Sequence, residues 1–93
     1  MKEFTVTWSD RAIVELGEIV EYIEAFNPSA ADKLAKRLLD VADSLMTFPN
    51  RGRPSPFGSR EMTNVPPYVM RYRVHDDFVE IVHVRHGRRQ PVD

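Results

Sequence analysis

Hydrophobic and polar positions alternate first with a period of two. Phe4, Val6 and Trp8 are separated by Thr5 and Thr7, which predicts a strand over Lys2–Trp8. The period then lengthens. Ala12, Ile13, Leu16, Ile19, Val20, Ile23 and Phe26 recur at steps of three and four, with Glu15, Glu18, Glu21 and Glu24 between them. That is an amphipathic helix, capped by Ser9 or Asp10. Gly17 lies inside it at a cost of about 1 kcal/mol relative to alanine. Either another backbone approaches closely there or the helix tolerates the loss. Asn27-Pro28 ends this helix and starts the next, because asparagine caps and proline suits the first helical position. Ala31, Leu34, Leu38, Val41, Ala42 and Leu45 form a second apolar stripe, and so short a joint makes an antiparallel helix hairpin.

Phe48-Pro49 closes the second helix. In the stretch that follows, Pro49, Gly52, Pro54, Pro56 and Gly58 forbid regular structure. Arg60–Val65 reads as a short strand that Pro66-Pro67 interrupts, and period two returns with Tyr68, Met70, Tyr72 and Val74 on one face and Val69, Arg71 and Arg73 on the other. His75-Asp76-Asp77 makes a turn into a last strand, Phe78–His86, and GRRQPVD forms a short polar tail. The order β-α-α-β-β-β predicts an α+β fold, with the helix hairpin packed on one face of a mostly antiparallel sheet. Packing within that core is the simplest role for Met70 and Tyr72. The other face, without helices, and the nearby loops should carry Arg60, Arg71, Arg73, Arg85, Arg88 and Arg89 at least in part.

Length and composition add limits. Residues 1–93 amount to one domain, and a chain of this size buries only about 60–65% of its unfolded surface. Cysteine is absent, which excludes disulfides and thiolate metal sites and is compatible with a reducing cytosol. The amino terminus has no apolar signal region and no stretch is long enough to span a membrane, so a cytoplasmic location without membrane contact is expected.

The net charge of −1 conceals an asymmetry. Residues 1–50 carry five basic side chains against nine acids, a balance of −4, whereas residues 51–93 carry eight arginines and no lysine against five acids, a balance of +3. Arginine's planar fork binds phosphate or carboxylate in bidentate fashion, where lysine acts as a point charge. Scattered over the last forty-odd positions, these guanidinium groups could be gathered by folding into one cationic patch. Such a patch could dock DNA, RNA or an acidic protein, or serve only solubility.

Few other chemistries fit. His83 and His86 stand three apart on one strand, point to opposite faces and cannot chelate one ion. No serine has a nucleophile-elbow setting, the glycines make no phosphate-cradling loop, and Asp76-Asp77 reads as a solvated turn. What remains is the arginines, Tyr68, Tyr72 and His86. Histidine can move protons while arginines stabilise a pentavalent phosphate, although a strand-end histidine with a satisfied hydrogen bond is the plainer reading of His86. No metal or other cofactor is expected.

The ordered series Trp8, Ala12/Leu16/Ile19/Tyr22/Ile23, Asn27-Pro28, Ala30-Ala31, Leu45, Phe48-Pro49, Gly52-Arg53, Arg60-Glu61, Tyr68, Tyr72-Arg73, Ile81 and Val84-Arg85-His86-Gly87-Arg88-Arg89 resembles the RelE/ParE superfamily of bacterial type II toxins over nearly the whole chain. The resemblance implies a small toxin silenced by a cognate antitoxin. RelE-like members cut mRNA on the ribosome, and ParE-like members poison DNA gyrase. Arg60 and Arg89 fall where RelE has basic catalytic residues, but Met62 falls where it has a lysine and Val69 where it has an arginine, and no tyrosine follows Tyr72. The Phe48-Pro49…Gly52-Arg53 and His86-Gly87-Arg88-Arg89 patterns are more ParE-like. The resemblance therefore implies a non-enzymatic gyrase inhibitor engaging its target through Arg53, Arg60, Arg71, Arg85, Arg88 and Arg89. The alternative is a metal-independent endoribonuclease acting on ribosome-bound mRNA through Arg60, Arg73, His86 and Arg89.

Overall fold

The computed structural model describes residues 2–87, so Arg88, Arg89 and the rest of the polar tail lie outside the described residues. In chain order the elements are β1 (Thr5–Trp8), α1 (Asp10–Glu24), α2 (Pro28–Ser44), β2 (Arg53–Pro54), β3 (Arg60–Val65), β4 (Tyr68–Val74) and β5 (Phe78–His86). They form two helices over a five-stranded sheet of order β1-β5-β4-β3-β2, in which β1 runs parallel to β5 and every other pair is antiparallel.

The capping residues act as the sequence predicts. Ser9 Oγ accepts the Ala12 N–H at 3.0 Å and also donates to the Val82 carbonyl at 3.2 Å, so one hydroxyl ties the start of α1 to the sheet. Asn27 Oδ1 accepts the Ala30 N–H at 3.1 Å, with Pro28 at the first helical position. β1 is shorter than its alternation suggests. The Phe4 N–H donates to the Met46 carbonyl beyond α2 rather than to a strand, so ladder pairing with β5 starts only at Thr5.

The core lies between the hairpin and one sheet face. Ala12, Leu38, Ala42 and Leu45 from the helical side meet Met62, Val65, Met70, Tyr72, Val79, Ile81 and Val84. The α1 stripe is narrower than expected. Ala12 is buried and Leu16, Ile19 and Ile23 are half-buried, but Ile13 is 55% exposed and Phe26 74%. Ile13 is turned about 100° from Ala12 around the helix axis, and Phe26 lies past the helix end, where its ring meets Tyr22 edge-on at 5.3 Å. Nothing stands within 4 Å of a Cβ built at Gly17, so close backbone approach does not explain that glycine.

A register shift between Arg71 and Tyr72 decides which β5 residues face the helices. Tyr72 pairs with Ile81 and Arg71 with His83, leaving Val82 as the extra residue of a bulge. Val79 and Ile81 before the bulge and Val84 after it all reach the core, although their spacing breaks strict alternation. His83 and Arg85 consequently join Arg71 and Val69 on the open face, while His86 pairs with Tyr68 on the helix side.

Candidate target-binding surface

The loop joining α2 to β3 is ordered by one tyrosine. Tyr72, fully buried, donates its hydroxyl proton to the Pro49 carbonyl at 2.7 Å and accepts the Gly52 N–H at 2.9 Å. A Cβ at position 52 would fall 2.7 Å from that hydroxyl and 2.8 Å from the Glu61 carbonyl oxygen, so only glycine fits. Burial raises the Tyr72 phenol above its ordinary value, opposed by the Gly52 hydrogen bond and the positive charges of Arg60 and Arg51. Arg60 Nη1 donates to the Gly52 carbonyl at 2.6 Å and the Asn50 carbonyl at 3.1 Å, closing the same loop from the other side. The Pro49–Gly52 turn is thus held by one phenol and one guanidinium.

Beyond Gly52, β2 and β3 form a hairpin whose tip is Pro56-Phe57-Gly58. The Ser55 N–H bonds the Ser59 carbonyl at 2.9 Å, and Ser59 Oγ donates to the Pro56 carbonyl at 2.7 Å. Phe57 has φ of 62° and is 80% exposed. A left-handed backbone costs a residue bearing a Cβ about 1–2 kcal/mol. Arg73 Nη1 donates to the Phe57 carbonyl at 3.0 Å, which supports the tip from β4.

On the open face a cross-strand row runs Arg53, Glu61, Arg71, His83 over β2, β3, β4 and β5. Glu61 is shared. Its Oε1 accepts from Arg53 at 3.2 Å and its Oε2 from Arg71 at 3.0 Å. At the far end, Glu15 of α1 takes up the edge of β5 left bare where β1 stops. Its Oε1 accepts the Val84 N–H at 3.0 Å and lies 3.4 Å from His83 Nδ1, while its Oε2 accepts from Arg85 at 3.2 Å and lies 3.8 Å from Arg11.

The arginines therefore do not form one unneutralised patch. Arg53, Arg71 and Arg73 gather on the open face, the first two around a carboxylate. Arg85 is drawn to Glu15 at the sheet edge. Arg60 is not on the open face but reaches the Pro49–Gly52 loop, because it pairs with Tyr72 across β3 and β4 and paired residues share a face. Four residue steps along β4, about 13 Å of strand, separate that level from the pairing of Tyr68 with His86, whose rings meet edge-on at 5.8 Å. Glu15 and Glu61 were not singled out from the sequence. Glu61 left a signal, as the sole acid between Asp43 and Asp76. Glu15 left none, since its role depends on where β1 ends. Among the described residues no group of three or more His, Cys, Asp or Glu could hold a metal ion, and no helix is long and apolar enough to cross a membrane.

Two helices on a five-stranded, mostly antiparallel sheet match the ParE-like fold. The chain belongs to the family of ParE toxins of type II toxin–antitoxin systems, matching it over residues 6–91. It is 48% identical over 84 residues to Toxin RelE2 of Caulobacter vibrioides, covering 90% of this chain and 96% of that protein. It is 37% identical over 92 residues to the putative toxin Y4kP of Sinorhizobium fredii, covering 97% and 95%. Toxin RelE1 of C. vibrioides is 33% identical over 91 residues, covering 94% and 97%. The same fold occurs in a structure of the chromosomal ParDE toxin–antitoxin system from P. aeruginosa, with a TM-score of 0.81 at 22% identity, covering 90% of this chain and 96% of that one. The protein is thus a toxin component of a type II module and pairs with a cognate antitoxin.

Proposed function

We propose that this toxin acts in the cytoplasm as a single-domain inhibitor of DNA gyrase, by binding rather than by catalysis, until its antitoxin neutralises it. Met62 carries this reading. The resemblance sets it where the ribonuclease branch has a catalytic lysine, and it is a core residue, 4% exposed. Val69 likewise puts an aliphatic group where that branch has an arginine. Arg60 spends its guanidinium on the Asn50 and Gly52 carbonyls, which gives it a structural role without any reaction. Arg60, Arg73 and His86 are also divided between two faces and both ends of β4, a poor arrangement for closing on one phosphate.

A second reading, a ribosome-dependent endoribonuclease, draws on the names of the relatives called RelE2 and RelE1. One experiment separates the two. The toxin is induced alone and DNA, RNA and protein synthesis are followed separately, alongside a supercoiling assay with purified gyrase. Gyrase inhibition should arrest DNA synthesis first and induce the SOS response. Immediate arrest of translation with normal DNA synthesis would refute it. If mRNA is cleaved, His86→Ala should abolish cleavage.

A further inference from the structure

Glu61 stands in the middle of the arginine cluster on the open face, with a side chain 15% exposed. Its Oε1 accepts from both Nε and Nη2 of Arg53, at 3.3 and 3.2 Å, and its Oε2 accepts from Nη2 of Arg71 at 3.0 Å. Both oxygens are thus occupied by guanidinium groups from the two neighbouring strands, each paired directly across from it. Arg73, two residues along β4 from Arg71 and so on the same face, donates to the Phe57 carbonyl, a neutral acceptor that leaves its charge in place.

Without Glu61, that face would present Arg53, Arg71 and Arg73 together, with His83 next in the cross-strand row. Three guanidinium groups on one sheet face form a surface for phosphates, and most of the affinity for a nucleic acid comes from releasing the counterions of the phosphates they neutralise. A carboxylate already bound between two of them supplies that neutralisation from within the chain and repels an incoming phosphate. The consequence for a toxin with one target is selectivity, because a genome offers about 10⁶–10⁹ competing non-specific sites. We infer that Glu61 is a specificity-determining residue that keeps the arginine cluster of the free toxin off bare duplex DNA. This goes beyond the gyrase reading and does not depend on it.

The probe is a short labelled DNA duplex of arbitrary sequence, titrated with toxin at about 50 and about 200 mM salt and followed by fluorescence anisotropy. Glu61→Gln keeps the size and an acceptor oxygen and removes the charge. Arg53 and Arg71 then add about two phosphate contacts, which steepens the salt slope by roughly 1.8. The variant should bind roughly tenfold tighter than wild type or more at the lower salt, an advantage that shrinks by roughly tenfold at the higher. Glu18→Gln, exposed on α1, changes the net charge equally and should bind like wild type. Equal tightening by Glu18→Gln would reduce the effect to net charge and overturn the inference, as would wild type binding the duplex as tightly as Glu61→Gln. Arg53→Ala, at a side chain 66% exposed, tests the same point with Glu61 in place. It should bind the duplex as wild type does, and a loss of several-fold would show that Arg53 is already available and overturn the inference. This second variant decides the matter by itself if circular dichroism finds Glu61→Gln unfolded.

Discussion

The hydroxyl of Tyr72 and the amide of Gly52, 2.9 Å apart, define each other's identity. The tyrosine needs a partner for a buried phenol, and the glycine leaves the space in which that phenol sits. Gly52→Ala would put a methyl group 2.7 Å from the hydroxyl and 2.8 Å from the Glu61 backbone oxygen, which cannot give way without moving β3. The expected cost is ~1–3 kcal/mol. Tyr72→Phe would keep the shape but leave the Gly52 N–H and the Pro49 carbonyl unsatisfied, at ~1–3 kcal/mol. Urea midpoints followed by circular dichroism check both, and a wild-type midpoint for either variant would contradict the clamp.

The same phenol predicts an alkaline limit. Burial raises its folded-state pKa above the unfolded value of about 10. The native state therefore holds its proton where the unfolded chain has released it. This stability is fully present below about pH 10 and is lost as pH rises through the folded pKa. Wild type should lose stability over that range more steeply than Tyr72→Phe. Parallel slopes in pH-dependent urea melts would rule out Tyr72 as the source.

Glu15 closes the β5 edge that β1 leaves open. Glu15→Ala should free the Val84 N–H and leave Arg85 and His83 without this carboxylate, at about 1–3 kcal/mol. Glu15→Gln keeps an acceptor for Val84 and should lose less. Amide hydrogen exchange at Val84 is the direct readout: accelerated in Glu15→Ala, near wild type in Glu15→Gln.

Glu61 sets how much positive charge the open face shows. Glu61→Gln should cost about 1 kcal/mol, since Arg71 and Glu61 are mostly buried while Arg53 is exposed. It should also raise retention on heparin and steepen its salt dependence, because two guanidinium groups lose their internal counter-charge. An unchanged elution profile would mean that Arg53 and Arg71 are already available to polyanions in the wild type.

Much of the fold was legible because local rules and tertiary demands agree. The Ser9 and Asn27 caps, the α2 stripe and the β4 span follow from hydrogen-bonding capacity and period, and the end of β3 from Pro66-Pro67. The α1 stripe is narrower than its pattern suggests, because apolar Ile13 sits one position off the buried line and Phe26 lies past the helix end. The site was less legible. The eight arginines of the second half are plain in the sequence, but the side of the sheet that Arg60 faces is not, because a strand's phase cannot be read without its partner. Phe57 passed as a loop residue, since neither its exposure nor its backbone sign is written in its identity.

The amino-acid order by itself determined the two helices and the strands β1, β3, β4 and β5, though not β2, through periodicity, capping and proline placement, all of which act within a few residues. Only the tertiary structure decided that β1 pairs with β5, that Val82 bulges, that Glu15 and Glu61 each pair with two arginines, and that Phe57 stands out at a hairpin tip. Those outcomes depend on pairings between residues up to about seventy positions apart. Contacts at that separation arise from which surfaces meet when the helix hairpin closes over the sheet, and no local pattern encodes them.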